Sequence, residues 1–324
     1  MTGLGAHRQA SRPVKDTFNI RGNPFLAENQ ADYVRWRAWK LETAPRAAEE
    51  LLVDIADPAH PDAEELARLR ALLRRCNMAI YRLAEPAAAD KAAIRRFGQH
   101  LGLACLDDNL CADEDAITSL QVVDAGRHTH YIPYSNRPLG WHTDGYYNDA
   151  AHAVRAVLLH CVQDAAEGGE NTLLDHELAY IHLRDADPAY VRALMAPDAL
   201  TIPPNEAEGT QLRDARSGPV FTIDKASGSL HMRYSARTRN VVWKDDTATT
   251  EAVACLREMM RDGGPGQIRY RLRPGEGLVS NNVLHRRAGF RDDEPGTPGG
   301  KQRLLYRARY YDRVAHTGLT DAAA

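Results

Sequence analysis

Between residues 119 and 311 the chain is broken into short β-prone runs by Gly-, Pro- and Asp-rich turns, and this feature constrains the fold most. The runs fall at 119–123, 153–161, 220–223, 230–234, 277–283 and 303–311. Strands this short cannot each carry a core. They must pair into sheets and bury one face against another, as in a β-sandwich or barrel. Helical spacing interrupts the pattern at 189–195 and 249–261, so the expected class is α+β, with helices around a mainly antiparallel core.

Upstream the period changes. Apolar residues recur at helical spacing over 31–41 and 62–84, the second opened by Asp62 in an N-cap position, and a third helix over 90–101 is closed by Gly102. The expected organisation is an arm at 1–15, one domain at 16–313 (a helical annex at 16–100 and a β core at 101–313) and a tail at 314–324. The polar, breaker-rich stretches 203–219 and 291–302 read as loops.

With 324 residues, 44% hydrophobic and 26% charged, the chain can bury a core without disulfide or metal staples. A formal charge of -3 with no basic block argues against nucleic acid and for a small-molecule partner; a homo-oligomer stays open. Five cysteines, Cys76, Cys105, Cys111, Cys161 and Cys255, contain no C-x-x-C pair, which points to a reducing cytoplasm. Residues 1–15 hold no apolar leader core, and no later run approaches the roughly 18 apolar residues of a membrane span, so neither export by that route nor membrane insertion is expected.

His142-Thr143-Asp144 sets an imidazole and a carboxylate two residues apart, on one side of an extended segment, where both can reach one metal. Alone the triplet is weak: with 13 histidines, about one His-x-Asp arises by chance. His60-Pro61-Asp62 is such a case, its Asp better placed as a helix cap. What distinguishes His142 and Asp144 is the string Trp-His-Thr-Asp-Gly-Tyr-Tyr and, far downstream, His285 in a strand-like segment. Two His and one carboxylate form a facial triad that leaves three positions of an octahedral iron open, room for a bidentate co-substrate and O2. His128 and His130 lack a carboxylate partner, and His176-Glu177 fails as a zincin motif because Tyr180 stands where the second His belongs.

A 2-oxoacid co-substrate would also need a hydroxyl and a guanidinium for its distant carboxylate, and Thr172 and Arg303 are the candidates. Alternation places Arg303, Leu305 and Arg307 on one strand face; the competing reading is a solvated basic face.

The order H-x-D, G-G-x-x-T, distal His and Arg resembles the TauD/TfdA group of 2-oxoglutarate oxygenases over roughly 97–312. The matching strings are WHTD (141–144), GGENTLLD (168–175), VLHRRAGF (283–290) and RLLYRARYYD (303–312). The resemblance implies a double-stranded β-helix, or jelly roll, with iron on His142, Asp144 and His285. It also implies Thr172 and Arg303 on the 2-oxoglutarate carboxylate, with Arg307 as a second anion contact. Taurine dioxygenase-like members have one residue, not two, between Gly-Gly and Thr, which makes Asn171 the alternative. A carboxylate at Asp144 implies hydroxylation or a related oxidation, since related halogenases carry a small residue there. The co-products implied are succinate and CO2.

Asn136, Trp141, Tyr146, Tyr147, Arg233, Tyr234 and Arg237 are candidates to face substrate, aromatics suiting a quaternary ammonium and arginines an anion. Two rival functions remain: a non-catalytic binder of a metal or small ligand, and a metal-dependent hydrolase, which leaves Arg303 without a purpose.

Overall fold

The computed structural model of the chain describes residues 21–86, 89–107, 115–122, 132–207 and 210–323. The expected arm at 1–15, Cys111, His128 and His130 lie outside the described residues.

Two sheets face each other. The larger is built from β1 (Leu52–Ile55), β2 (Met78–Leu83), β3 (Thr118–Leu120), β5 (Ala156–Gln163), β8 (Glu276–Ser280) and β10 (Leu304–Tyr310) in the order β1-β2-β8-β5-β10-β3. The smaller holds β4 (Leu139–His142), β6 (Asn171–Leu174), β7 (Gln267–Tyr270) and β9 (Leu284–Arg287) in the order β7-β6-β9-β4. All pairings are antiparallel except β1 with β2.

Alternation along the strands sorts their side chains into layers. Leu173 and Ile268 of the small sheet meet Leu159, Leu278 and Leu305 of the large one in the central core. Behind the large sheet lie α2 (Ala63–Cys76) and α3 (Lys91–His100), whose Leu69, Leu73, Ile94 and Phe97 cover Ala79, Leu158 and Ala308. Behind the small sheet, α1 (Gln30–Thr43), α4 (His176–Ala186), α5 (Pro188–Leu194) and α6 (Thr247–Met259) close over Leu174 and Leu284. Asp62 caps α2 through a complete capping box with Glu65, and Asp90 caps α3 by accepting from Ala93 N. None of the described helices is long and apolar enough to cross a membrane.

Three expectations need correction. The helix expected over 62–84 ends at Cys76, where Asn77 (φ 59°) caps it in the left-handed region, and Met78–Leu83 becomes a central strand. The amphipathic period misleads there because β2 is buried on both faces, and such a strand reads as a continuous apolar run. Residues 16–100 are therefore not a purely helical annex, since β1 and β2 extend the large sheet. Beyond 313 the chain is no loose tail: Val314 and Thr317 are buried, and Thr317 Oγ1 donates to Val314 O at 2.6 Å.

Candidate active site

β4 and β9 run side by side with His142 directly opposite His285, so both imidazoles leave the same face, ring centroids 4.2 Å apart. Asp144 follows in the turn after β4. Gly145 (φ 66°) makes that turn, and a Cβ there would collide with Val154. One ligand-type atom from each of His142, Asp144 and His285 lies within 4.8 Å of the others.

The hydrogen bonds prepare these atoms for a metal. His142 Nδ1 lies 2.9 Å from Gly140 O and His285 Nδ1 lies 3.0 Å from Val283 O. Carbonyl oxygens only accept, so each Nδ1 carries the proton and each Nε2 keeps a free lone pair. Burial, followed by the neighbouring His285, pushes His142 down to about 3, which holds the imidazole neutral. Burial alone would raise Asp144, but the charges of Arg307, His285 and Arg309 outweigh it and hold the carboxyl well below the usual range. Arg307 Nη1 occupies Asp144 Oδ1 at 3.2 Å. Asp144 Oδ2 is buried with no hydrogen-bond partner among the described residues, the state of an oxygen reserved for a cation. Two imidazoles with an ionised carboxylate are a donor set that divalent iron accepts.

The main chain of Asp144 is pinned from the far side. Asn282, itself in the left-handed region (φ 54°), accepts from Asp144 N at 2.8 Å and donates to Asp144 O at 2.9 Å and Val154 O at 2.6 Å. Sequence reasoning passed over Asn282, since an Asn in a turn usually serves only the turn.

The register across β6 sends the two candidates for the co-substrate's far carboxylate to opposite faces. Leu173 opposes His285 and Asn171 opposes Arg287, which puts Asn171 on the inner face with the histidines. Thr172 opposes Arg286 and Arg269 and points to the outer, helix-covered face. Asn171 and Arg303 line the same small pocket of about 10 Å³, together with Gly169, Cys161 and Leu305; Thr172 does not. Arg303 is buried, its guanidinium 4.9 Å from the centre of the Phe290 ring, and no carboxylate among the described residues forms an ion pair with it. Burial pushes its pKa down to about 10, a cost that an anion beside it would relieve.

The large cavity at the triad has a volume of about 570 Å³, in the range of small-molecule sites. Tyr146, Tyr147 and Arg237, candidates to face substrate, line it together with Arg307. Asn136, Trp141 and Arg233 do not. The exposed Asn136 uses its carbonyl to hold Phe290 N at 3.1 Å. Trp141, one residue out of phase with His142, faces outward and donates Nε1 to Met260 O at 2.8 Å. Arg233 reaches away to clamp the carbonyls of Leu200, Arg216 and Gly218. Tyr234 is core, near Trp243 at 6.1 Å.

Arg309, two residues beyond Arg307 on the same face, lines the cavity too. It pairs with buried Asp107 and donates to Tyr147 Oη at 2.9 Å. The alternation that exposed Arg303 and Arg307 extends one step further to reach it.

Residues 41–309 match the family model described as taurine catabolism dioxygenase TauD, TfdA family. A uridine-5'-phosphate dioxygenase from Streptomyces sp is 31% identical over 208 residues, covering 61% of this chain and 71% of that protein. Among solved structures, an asparagine oxygenase in complex with Fe(II), 2S,3S-3-hydroxyasparagine and succinate superposes with TM-score 0.54 at 19% identity, covering 88% of this chain and 92% of its own. The non-haem iron oxygenase OrfP in complex with Fe and alpha-ketoglutaric acid gives TM-score 0.53 at 16% identity, covering 76% and 81%. The matched span contains both halves of the triad and Arg303, and on that ground the chain belongs to the TauD/TfdA family and is an Fe(II)- and 2-oxoglutarate-dependent dioxygenase.

Proposed function

We propose that His142, Asp144 and His285 hold the iron and that Asn171 with Arg303 holds the far carboxylate of 2-oxoglutarate. The observation carrying this reading is a pair of buried, unspent groups: among the described residues Asp144 Oδ2 has no hydrogen-bond partner and Arg303 has no ion pair. When bound, iron with 2-oxoglutarate and O2 supplies the oxidation of a substrate C–H bond, releasing succinate and CO2.

The chain's own part is positioning. The carbonyls of Gly140 and Val283 fix the histidine tautomers, and Arg307 holds Asp144 ionised while leaving one of its oxygens open. Arg307 also lines the large cavity, but its pairing with Asp144 leaves it less free for the second anion contact expected of it. The walls of that cavity, Tyr146 and Tyr147 among them, exclude water from a small polar substrate. The two facing sheets are read as a double-stranded β-helix, and the four described cysteines, all free, suit a reducing cytoplasm.

The assignment within β6 is tested by paired variants. Asn171→Ala raises KM for 2-oxoglutarate about tenfold or more, the loss of a buried hydrogen bond to a charged group, while Thr172→Ala changes it less than about twofold. Steady-state succinate release reads both, with nucleoside monophosphates heading the substrate screen because the Streptomyces relative is named for uridine 5'-phosphate. The reverse order of effects would return the role to Thr172.

A further inference from the structure

The large cavity is lined by six arginines, Arg213, Arg216, Arg237, Arg239, Arg307 and Arg309. Only three carboxylates, Asp107, Asp144 and Asp149, lie in the same wall, which leaves an excess of three positive charges. The excess is not spread evenly. Arg307 pairs with Asp144 at 3.2 Å and Arg309 with Asp107, so the two arginines on β10 are already spent. Asp149 is taken by His152 at 2.8 Å.

The remaining four come from two other segments of the lining. Arg213 ends the short strand Thr210–Arg213 and Arg216 begins the next, Arg216–Gly218. Arg237 and Arg239 lie in and just before the single helical turn Thr238–Asn240. None of the four forms an ion pair with a carboxylate among the described residues. Among the described residues the Arg213 guanidinium hydrogen-bonds main-chain oxygens, Pro203 O at 2.7 Å and Asp214 O at 2.8 Å, and lies 6.0 Å from the centre of the Tyr147 ring. Burial depresses its pKa, and Arg216 beside it depresses it further. Like charges held together in a cavity wall cost free energy unless an anion sits between them.

We infer that this group of four arginines lines a subsite for the phosphate of a phosphomonoester substrate. A carboxylate or sulfonate brings one charge. A phosphomonoester brings close to two at neutral pH with three acceptor oxygens, which comes nearer to the excess of three and suits the donor forks of several guanidiniums. The arrangement also divides labour within the cavity. The β10 arginines serve Asp144 and Tyr147 beside the triad, and the other four arginines grip the substrate by its phosphate. Calling the anion part of the substrate rests on the dioxygenase reading above, but anion binding itself needs neither iron nor 2-oxoglutarate.

The test uses the full-length, metal-free protein with inorganic phosphate as the probe, by isothermal titration calorimetry at pH 8 and fixed ionic strength, with methanesulfonate as the monoanionic control. Phosphate is expected to bind at least fivefold more tightly than methanesulfonate. R216Q and R239Q are each expected to weaken phosphate by about tenfold and the double variant by more, whereas R303Q leaves it within twofold. Circular dichroism and melting temperature check that each variant is folded. The inference is overturned if phosphate does not bind at 20 mM, if methanesulfonate binds as tightly, or if R303Q abolishes binding that R216Q/R239Q leaves intact. Should phosphate bind as expected while Fe(II) and 2-oxoglutarate form no joint complex, the subsite stands and the assignment of the triad falls.

Discussion

Replacing Asn282 with Ala removes three hydrogen bonds, of 2.6, 2.8 and 2.9 Å, and strands Asp144 N–H, Asp144 C=O and Val154 C=O beneath a residue that is itself buried. At roughly 1 kcal/mol or somewhat more for each buried group left unsatisfied, the loss is about 3–4 kcal/mol. Ala must also adopt the left-handed φ of 54°, which adds about 1 kcal/mol. The expected total of about 4–5 kcal/mol is a large share of the ~5–15 kcal/mol that holds a domain together. Asn282→Gly accepts the φ and isolates the hydrogen bonds, so it should lie about 1 kcal/mol closer to wild type. Urea unfolding of the metal-free proteins measures both. Releasing the main chain of Asp144 should also weaken Fe(II) binding in the Gly variant by about 10- to 100-fold, as loss of a group orienting a metal ligand does. A loss below about 1 kcal/mol in Asn282→Ala, with Fe(II) affinity unchanged in Asn282→Gly, would refute the claim that Asn282 positions Asp144.

Lys40 is fully buried and pairs with both Asp175, at 2.6 Å, and Glu177, so Lys40→Ala leaves two buried carboxylates unmatched and should cost about 3–5 kcal/mol in urea unfolding. His160 is buried and pushed down to about 4 by burial, below its ordinary 6.5. Its unfolded form therefore takes up a proton that the folded form refuses, and stability should fall by about 3 kcal/mol as pH drops from 6.5 toward 4. His160→Gln should flatten that slope by up to one proton; an unchanged slope assigns the pH dependence elsewhere. Trp141→Phe should cost about 1 kcal/mol through the lost bond to Met260 O and leave KM for 2-oxoglutarate unchanged, and a raised KM would put Trp141 back in the site.

The triad was legible because its chemistry is carried by residue types whose spacing survives translation into strands. His142 and His285 sit on adjoining strands in opposed register, and Asp144 needs only the turn that Gly145 makes. The arginine face of β10 was readable for the same reason, since a period of two is visible in QRLLYRARYYD. Register between strands was not readable. Asn171 and Thr172 are adjacent, and only their pairing with β9 tells which one faces inward. Trp141 failed on the same point: proximity to His142 in sequence put it in the candidate site, and the pleat turned it away. The helix expected through Leu83 failed because a strand buried on both faces carries no alternation to distinguish it. Arg213, Arg216 and Arg239 belong to segments whose placement against the triad depends on tertiary structure alone. Neither their spacing nor their neighbours mark them as cavity residues.

Anaerobic addition of Fe(II) and then 2-oxoglutarate to the purified protein, followed in the visible region, tests the site most directly, because the weak charge-transfer band of chelated 2-oxoglutarate forms without any substrate. The account predicts a band in wild type that is lost in His142→Ala, Asp144→Ala and His285→Ala. In Arg303→Ala the band should saturate only at much higher 2-oxoglutarate. A band that survives intact in any of the three ligand variants, or that never forms in wild-type protein loaded with Fe(II), would contradict it.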